Sequence, residues 1–459
     1  MLRLRRRLGL LAAATLLAAA ACTNAPSSTS SSGKTVLKVA YGSTFVFMSP
    51  SLAVKWWHTV GREFEQQHPN ATIQWIPIPG SYVDIVNKLN LLYRTPSTAP
   101  DVAELPSPNL GGWEGSGDLL PLNSYLSHAP WWKTFPKPVQ NEGLYNGKIL
   151  AVNHFEATDA LLYNIPMFKK AGLPVPWHPK TWADILSAAA KIKSSTPNVS
   201  PLWLLGAQAS GAEGILLGSG NMLAGSADPT IYDTATKKWV VDSPGIRQVL
   251  AFFHAMAAGG YNAPVSQLEN PNAIANVPGY EAKQQIAIAV AANFWGESWV
   301  KTVCAPCWPQ APKVLGFAPL PTSQGQAPDI ATTLGGWDLA IGAHTANPGL
   351  AWDFINTAQT RVNMIDVSNW GGGVPPDTAY FKDPLYSNFA PPFQAEFAQI
   401  EPYGIEAPSS LNYAVWANGF NAATQALTQN PRETVQQALA QMKSIIVNQL
   451  GPGQVETQQ

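Results

Sequence analysis

Val36-Leu37-Lys38-Val39-Ala40-Tyr41, Ala71-Thr72-Ile73-Gln74-Trp75-Ile76-Pro77 and Asp101-Val102-Ala103-Glu104-Leu105 are three short runs rich in apolar residues, spaced along the first part of the chain. Between the first two, Val54, Trp57, Gly61 and Phe64 recur at spacings of three and four, the period of one helix face. A second helical pattern runs from Val83 to Tyr93, ahead of the third run. The order β-α-β-α-β predicts an α/β protein with a mostly parallel sheet covered by helices on both faces.

Further along, the same alternation continues. Thr181 with Asp184 has the form of a capping box, opening a helix whose buried stripe is Trp182, Ile185, Ala189 and Ile192. Ser243-Pro244 puts a cap and a first-turn proline ahead of Ile246, Val249, Leu250 and Phe253. Asn347-Pro348 does the same ahead of Ala351, Trp352 and Ile355. Asn430-Pro431 with Glu433 opens the last long helix, carrying Val435, Ala438, Leu439, Met442 and Ile445. Ile286 to Ala291, Val314 to Pro319 and Asp338 to Gly342 read as strands. No internal repeat is visible.

At 459 residues the chain has room for two or three cores. Charged residues make up 12% and aromatics 10%, with 17 Trp and 40 Pro, which excludes disorder over most of the length. The N-terminus places Arg3, Arg5, Arg6 and Arg7 ahead of a short apolar run, Leu8 to Ala21, the layout of a secretory signal over residues 1–21. Without it the chain keeps 24 basic and 29 acidic residues, about −5, which argues against a nucleic-acid partner. Ala19-Ala20-Ala21-Cys22 resembles a bacterial lipobox, with Cys22 as the lipidated residue and 22–33 as a Ser-rich tether. Ala19 stands where the lipobox usually has Leu, and an ordinary cleaved signal is the alternative. Cys304 and Cys307 fit a small structural disulfide in an oxidising compartment. The seven His have no partner spacing that would complete a zinc site, so no metal or cofactor is expected.

Several segments, in order, resemble the family 1 extracellular solute-binding proteins, the group containing the maltose-binding proteins of bacterial ABC importers. They are Phe64-Glu65-Gln66-Gln67-His68-Pro69; Ala99-Pro100-Asp101-Val102 leading to Gly117-Asp118-Leu119-Leu120-Pro121-Leu122; and Gly147-Lys148-Ile149 followed by Leu162-Tyr163-Asn164. Phe168-Lys169-Lys170-Ala171-Gly172-Leu173 with Lys180-Thr181-Trp182, and Leu334-Gly335-Gly336-Trp337-Asp338-Leu339-Ala340-Ile341 with Ala351-Trp352-Asp353-Phe354-Ile355, complete the series. The resemblance implies a two-lobed, type II periplasmic-binding-protein-like fold, with a ligand cleft between lobes joined by three crossover segments. One lobe would comprise 34–156 plus 337–374, the other 157–336 plus 375–459. The crossings fall near Glu156 to Asp159, Leu334 to Trp337 and Gly371 to Val374. A Gly371-Gly372-Gly373 run suits either a hinge or a tightly packed loop.

The implied ligand is a carbohydrate, whose hydroxyls call for carboxylates and amides and whose C–H faces call for aromatic rings. Candidate contacts are Ser43, Tyr82, Glu104, Glu156, Asp159, Trp203, Trp295, Trp337, Gly372, Tyr413 and Trp416. Leu105 and Pro108 stand roughly where maltose binders carry Trp and Asp, which counts against a maltodextrin. For each Trp the competing reading is core packing, and Trp57, Trp182, Trp239 and Trp352 are read so. The resemblance further implies delivery to an importer permease, a monomer, and membrane contact through the lipid anchor alone. A glycerophosphodiester is the alternative ligand. A glycosidase, the rival from another class, would need two carboxylates across the cleft, and Glu104 with Glu156 can be imagined so. Catalytic signatures such as GxSxG, HExxH and GxxxxGK[ST] are missing from the sequence.

Overall fold

The computed structural model describes residues 33–43, 50–299, 307–388, 391–408, 410 and 412–458. Residues 1–21, Cys22 with most of the tether, and Cys304 lie outside them. Cys307 is disulfide-bonded.

The opening β-α-β-α-β order is realised as β1 (Thr35–Gly42), α1 (Pro50–Gln67), β2 (Ala71–Ile78), α2 (Tyr82–Leu92) and β3 (Val102–Pro106). The strands β1, β2 and β3 pair in parallel. Helix α1 buries Trp57, Val60, Gly61 and Phe64 on the expected stripe, while Val54 is half-buried. Its Trp56 adds an indole that donates to the Asn363 carbonyl at 2.8 Å.

The rest of the main sheet is built from β4 (Ala151–Asn164), β5 (Ile288–Ala292), β6 (Leu315–Ala318), β7 (Thr332–Ile341) and β8 (Gly404–Glu406). Spatial order along the sheet is β6-β4-β7-β3-β1-β2, with β8 added to β7 and β5 to β4. Strand β7 runs antiparallel to β3 and β4, and β4 runs antiparallel to β5 and β6. The sheet is therefore mixed, not mostly parallel. The parallel expectation rested on the first three strands, and the strands that cross between cores have to run back against them.

All fourteen residues of β4 are buried. Its first part packs into a core built on Val39, Trp57, Phe64, Leu105, Leu339 and Phe354. Its far end reaches a second core containing Tyr163, Trp182, Ile246, Phe253, Trp416 and Met442. Three segments cross at one point. Glu156 of β4 lies opposite Gly336 of β7, and it exchanges backbone hydrogen bonds with Val374 at 3.3 and 3.1 Å. Contact here is close enough that a Cβ on Gly336 would come within 1.8 Å of the Phe155 carbonyl oxygen.

Two of the four helix starts expected from sequence are capped as read, and two are not. Thr181 and Asp184 form the reciprocal box ahead of α3 (Trp182–Ser195), and Ser243 caps α4 (Pro244–Gly259) by accepting the Ile246 amide. Ahead of α5 (Pro348–Ala358), Asn347 makes no side-chain cap. The helix α6 (Arg361–Gly371), which has no such signal, follows it, and α7 (Tyr413–Gln429) comes later. The final helix, α8 (Val435–Leu450), is capped by Thr434 with Gln437, not by Asn430 with Glu433. Asn430 instead accepts the Arg432 amide in a turn before the helix. Shifting the start places Ile446 in the core and leaves Ile445 at its margin.

Gly372, which ends α6, has φ +73°, and a Cβ there would meet Phe294 Cα at 2.7 Å. Gly372→Ala is expected to destabilise the protein by about 1–3 kcal/mol, measured as a shift in the urea midpoint at constant slope.

Candidate functional site

The start of α2 faces two segments across a cavity of about 330 Å³, one (209–213) tied to the second core through Ala212 and one (271–275) tied to the first through Ala273 and Ile274. Ser81, Tyr82 and Asp84 form one wall, Ser210 and Glu213 stand opposite, and Asn272 closes a third side. The position of the first wall is fixed locally. Ser81 and Asp84 make a reciprocal capping box, so the first turn of α2 and the Tyr82 side chain are pinned at the edge of the cleft.

Tyr82 is 7% exposed, donates its hydroxyl to Asn109 Oδ1, and meets the Trp337 ring edge-on at 6.2 Å. Its phenol is held well above the usual range by burial first, and then by the charges of Glu213 and Tyr413. Tyr413 stacks on Trp416 at 6.4 Å. Of the expected residues the structure thus places Tyr82 on the cavity wall, with Trp337 packed behind it and Tyr413 near enough to act on its phenol. To these it adds Asn109 and Glu213, which carried no sequence signal: an acid between Ala212 and Gly214 in a run of small residues reads as an exposed loop. Glu213 is 6% exposed and its Oε1 has no hydrogen-bond partner. Burial alone pushes its carboxyl up to about 8.

Where the three segments cross, further carboxylates collect. Glu142 accepts from Asn153 Nδ2 at 2.8 Å and from the Gly336 amide at 3.1 Å. Glu156 and Asp338 are raised well above the carboxylate range, by burial and by each other's neighbours, Glu142 foremost. Burial followed by the Glu142 charge lifts Glu401 to about 8 and Glu406 to about 9. None of the four ion pairs among the described residues touches this group. Asp159, further along β4, accepts from Thr333 Oγ1 at 3.2 Å, and burial still raises it to about 7.

Other candidates sit elsewhere. Glu104 is enclosed within the first core, accepting from the Gly42 amide at 3.0 Å and pairing with His154 Nε2 at 3.0 Å beneath Trp56. It lies inside strand β3 rather than at its open end, so the structure gives it a role in joining β1, β3 and β4. Trp203 is 1% exposed and packs on Tyr280 at 5.8 Å, and its amide donates to Ile288. Trp416 donates to the Val240 carbonyl at 2.7 Å and stacks on Phe420. Both are core residues in this arrangement, as are Trp57, Trp182, Trp239 and Trp352. Trp295 is buried with its indole nitrogen unpartnered. Ser43 donates its amide to Ile78 at the end of β1. Gly372 contributes its carbonyl to Gln394 Nε2 at 2.6 Å.

Two cores joined by three crossing segments, with a polar and aromatic cavity between them, define a two-lobed binding protein of type II. The chain belongs to the bacterial extracellular solute-binding protein family, whose profile matches residues 50–364. A probable ABC transporter-binding protein of Deinococcus radiodurans is 28% identical over 240 residues, covering 52% of this chain and 53% of that protein. The sn-glycerol-3-phosphate-binding periplasmic protein UgpB of Rhizobium meliloti is 26% identical over 34% of this chain and 40% of its own length. The chain thus spans about half or less of the length of these curated relatives. Among solved structures, maltose-bound MalE3 of T. maritima superposes with a TM-score of 0.72 at 19% identity, covering 90% of this chain and all of the other. The GacH receptor of Streptomyces glaucescens gives 0.71 at 18% identity, over 90% and 98%. A ribitol complex from Agrobacterium radiobacter K84 gives 0.69 at 15%, over 90% and 97%. These likenesses establish the fold.

Carboxyls raised in the folded state contribute stability that is complete below their unfolded values near 4 and is lost as pH rises through the folded values. For Asp159, Glu213, Glu401 and Glu406 those folded values lie between about 7 and about 9. The melting temperature is expected to fall by on the order of 5 °C between pH 5 and pH 9, followed by scanning calorimetry, and Glu401→Gln should flatten the slope.

Proposed function

We propose that this chain is the extracytoplasmic binding subunit of an ABC importer, capturing a carbohydrate or related polyol between two lobes and delivering it to the permease. The lobes would be residues 34–156 plus 337–374 and residues 157–336 plus 375–459. The single observation that carries the ligand class is the make-up of the cleft. Tyr82, backed from within the core by Trp337, offers an aromatic surface for sugar C–H faces, and Ser81, Ser210, Asn272 and Glu213 offer hydrogen-bonding groups for hydroxyls. No Lys, Arg or His lines the cavity, so a phosphate has no cationic partner there among the described residues. This favours a sugar over the phosphate ester named for the UgpB relatives.

Capture would proceed by closure about the crossing point, where Glu156 joins β7 and the segment after α6. Residues 1–21 are read as the export signal and Cys22 as the lipid-anchored N-terminus of a monomer on the outer face of the membrane.

A thermal-shift screen of the chain from Gly33 onward, against neutral mono-, di- and oligosaccharides and sn-glycerol 3-phosphate, tests the reading. A ligand at 100 times its dissociation constant adds about 2.7 kcal/mol, a rise of a few degrees. Tyr82→Ala is expected to weaken that ligand by about tenfold or more, measured by calorimetry. A shift from the phosphate ester alone would remove the carbohydrate reading.

A further inference from the structure

The cavity between α2 and the 209–213 segment is lined by two acids and no base. Glu213 lines it, is 6% exposed, and has Oε1 without a partner. On the opposite wall the Asp84 carboxylate is held ionised by the Ser81 hydroxyl and amide. Tyr82, between them, is the titratable group facing Glu213, and it is a phenol kept neutral. The lining holds no basic side chain, and the nearby carboxylates at the segment crossing are equally without one.

A neutral hydroxyl donates a hydrogen bond to a carboxylate but leaves its charge uncompensated in a desolvated site. An ammonium group supplies donor and charge together. Among the described residues nothing performs that role for Glu213, although the cavity beside it has room for a sugar-sized molecule. We propose that the solute this cleft receives carries a positively charged nitrogen on its polyol frame, as an amino sugar does, and that Glu213 is the ion-pair partner of that nitrogen. The inference rests on the reading of the chain as a carbohydrate-binding protein and narrows it.

The exchange on binding is balanced. The empty site holds Glu213 as the neutral acid through burial. An arriving ammonium ion forms the pair with the carboxylate, and the displaced proton leaves to solvent. Below pH 8, binding of the cation therefore releases protons, whereas binding of a neutral sugar does not.

The test is isothermal calorimetry on the mature chain with matched probes: glucosamine, N-acetylglucosamine and glucose, and the corresponding β-1,4-linked dimers. Titrations at pH 6.5 in two buffers of different ionisation enthalpy count the protons. The expected result is that the amine members bind about tenfold or more tightly than their acetylated and hydroxyl counterparts, with proton release. Glu213→Gln should abolish both the preference and the release, while Glu213→Asp keeps part of each. Equal or tighter binding of the neutral sugars, or an amine preference that survives in Glu213→Gln, overturns the cation assignment and leaves the carbohydrate reading intact. Silence from the whole panel overturns both.

Discussion

The structure depends on one constraint: Glu156 must pair along its backbone with two other segments at once. Gly336 lies on one side of it and Val374 on the other, and Asn293 Nδ2 reaches its carbonyl from a third direction at 3.1 Å. Backbone pairing of this density leaves no room for side chains, which explains the glycines opposite and beside it. It also buries every residue of β4, including the acids and amides that the strand carries. The carboxylates around the crossing owe their raised pKa to that burial first, and to one another's charge second.

The same crossing arranges the cleft. β7 passes through it and then presents Trp337 to Tyr82 at the start of α2, while Thr333, before the crossing, is hydrogen-bonded to Asn221 and to the Leu216 carbonyl. One strand therefore carries a cleft residue on one lobe and an anchor on the other. Gly335 between them sits within 3.0 Å of both Ser107 and Leu216, taken from a Cβ position, so the two walls approach most closely where the strand changes core.

Much of the fold was legible because its signals are local. The stripe on α1, the Thr181–Asp184 box and the Ser243–Pro244 start each depend on residues within a turn or two, and each is present. The start of α8 was misplaced because Asn430-Pro431 and Thr434 both satisfy the capping rule, and only packing of Ile446 against the second core selects the later one. Sheet direction was misjudged for the same kind of reason: β4 and β7 acquire their orientation from partners more than a hundred residues away. In the site, Tyr82, Trp337 and Tyr413 were reachable through the family resemblance. Glu213 and Glu142 were not, since an acid's isolation from every base is a property of three-dimensional surroundings. Glu104 and Trp416 looked like binding groups by type and position, but hydrogen bonds to Gly42, His154 and Val240 use them within the cores.

The continuous burial of β4 also governs how the chain comes apart and together. Glu156 finds Gly336 only across a sequence separation of 180, and pairings of such range are slow to form. Neither core can be completed before that strand and its distant partner have met, and stripping β4 away uncovers both cores together. The two cores therefore share one strand, and neither keeps its burial without it.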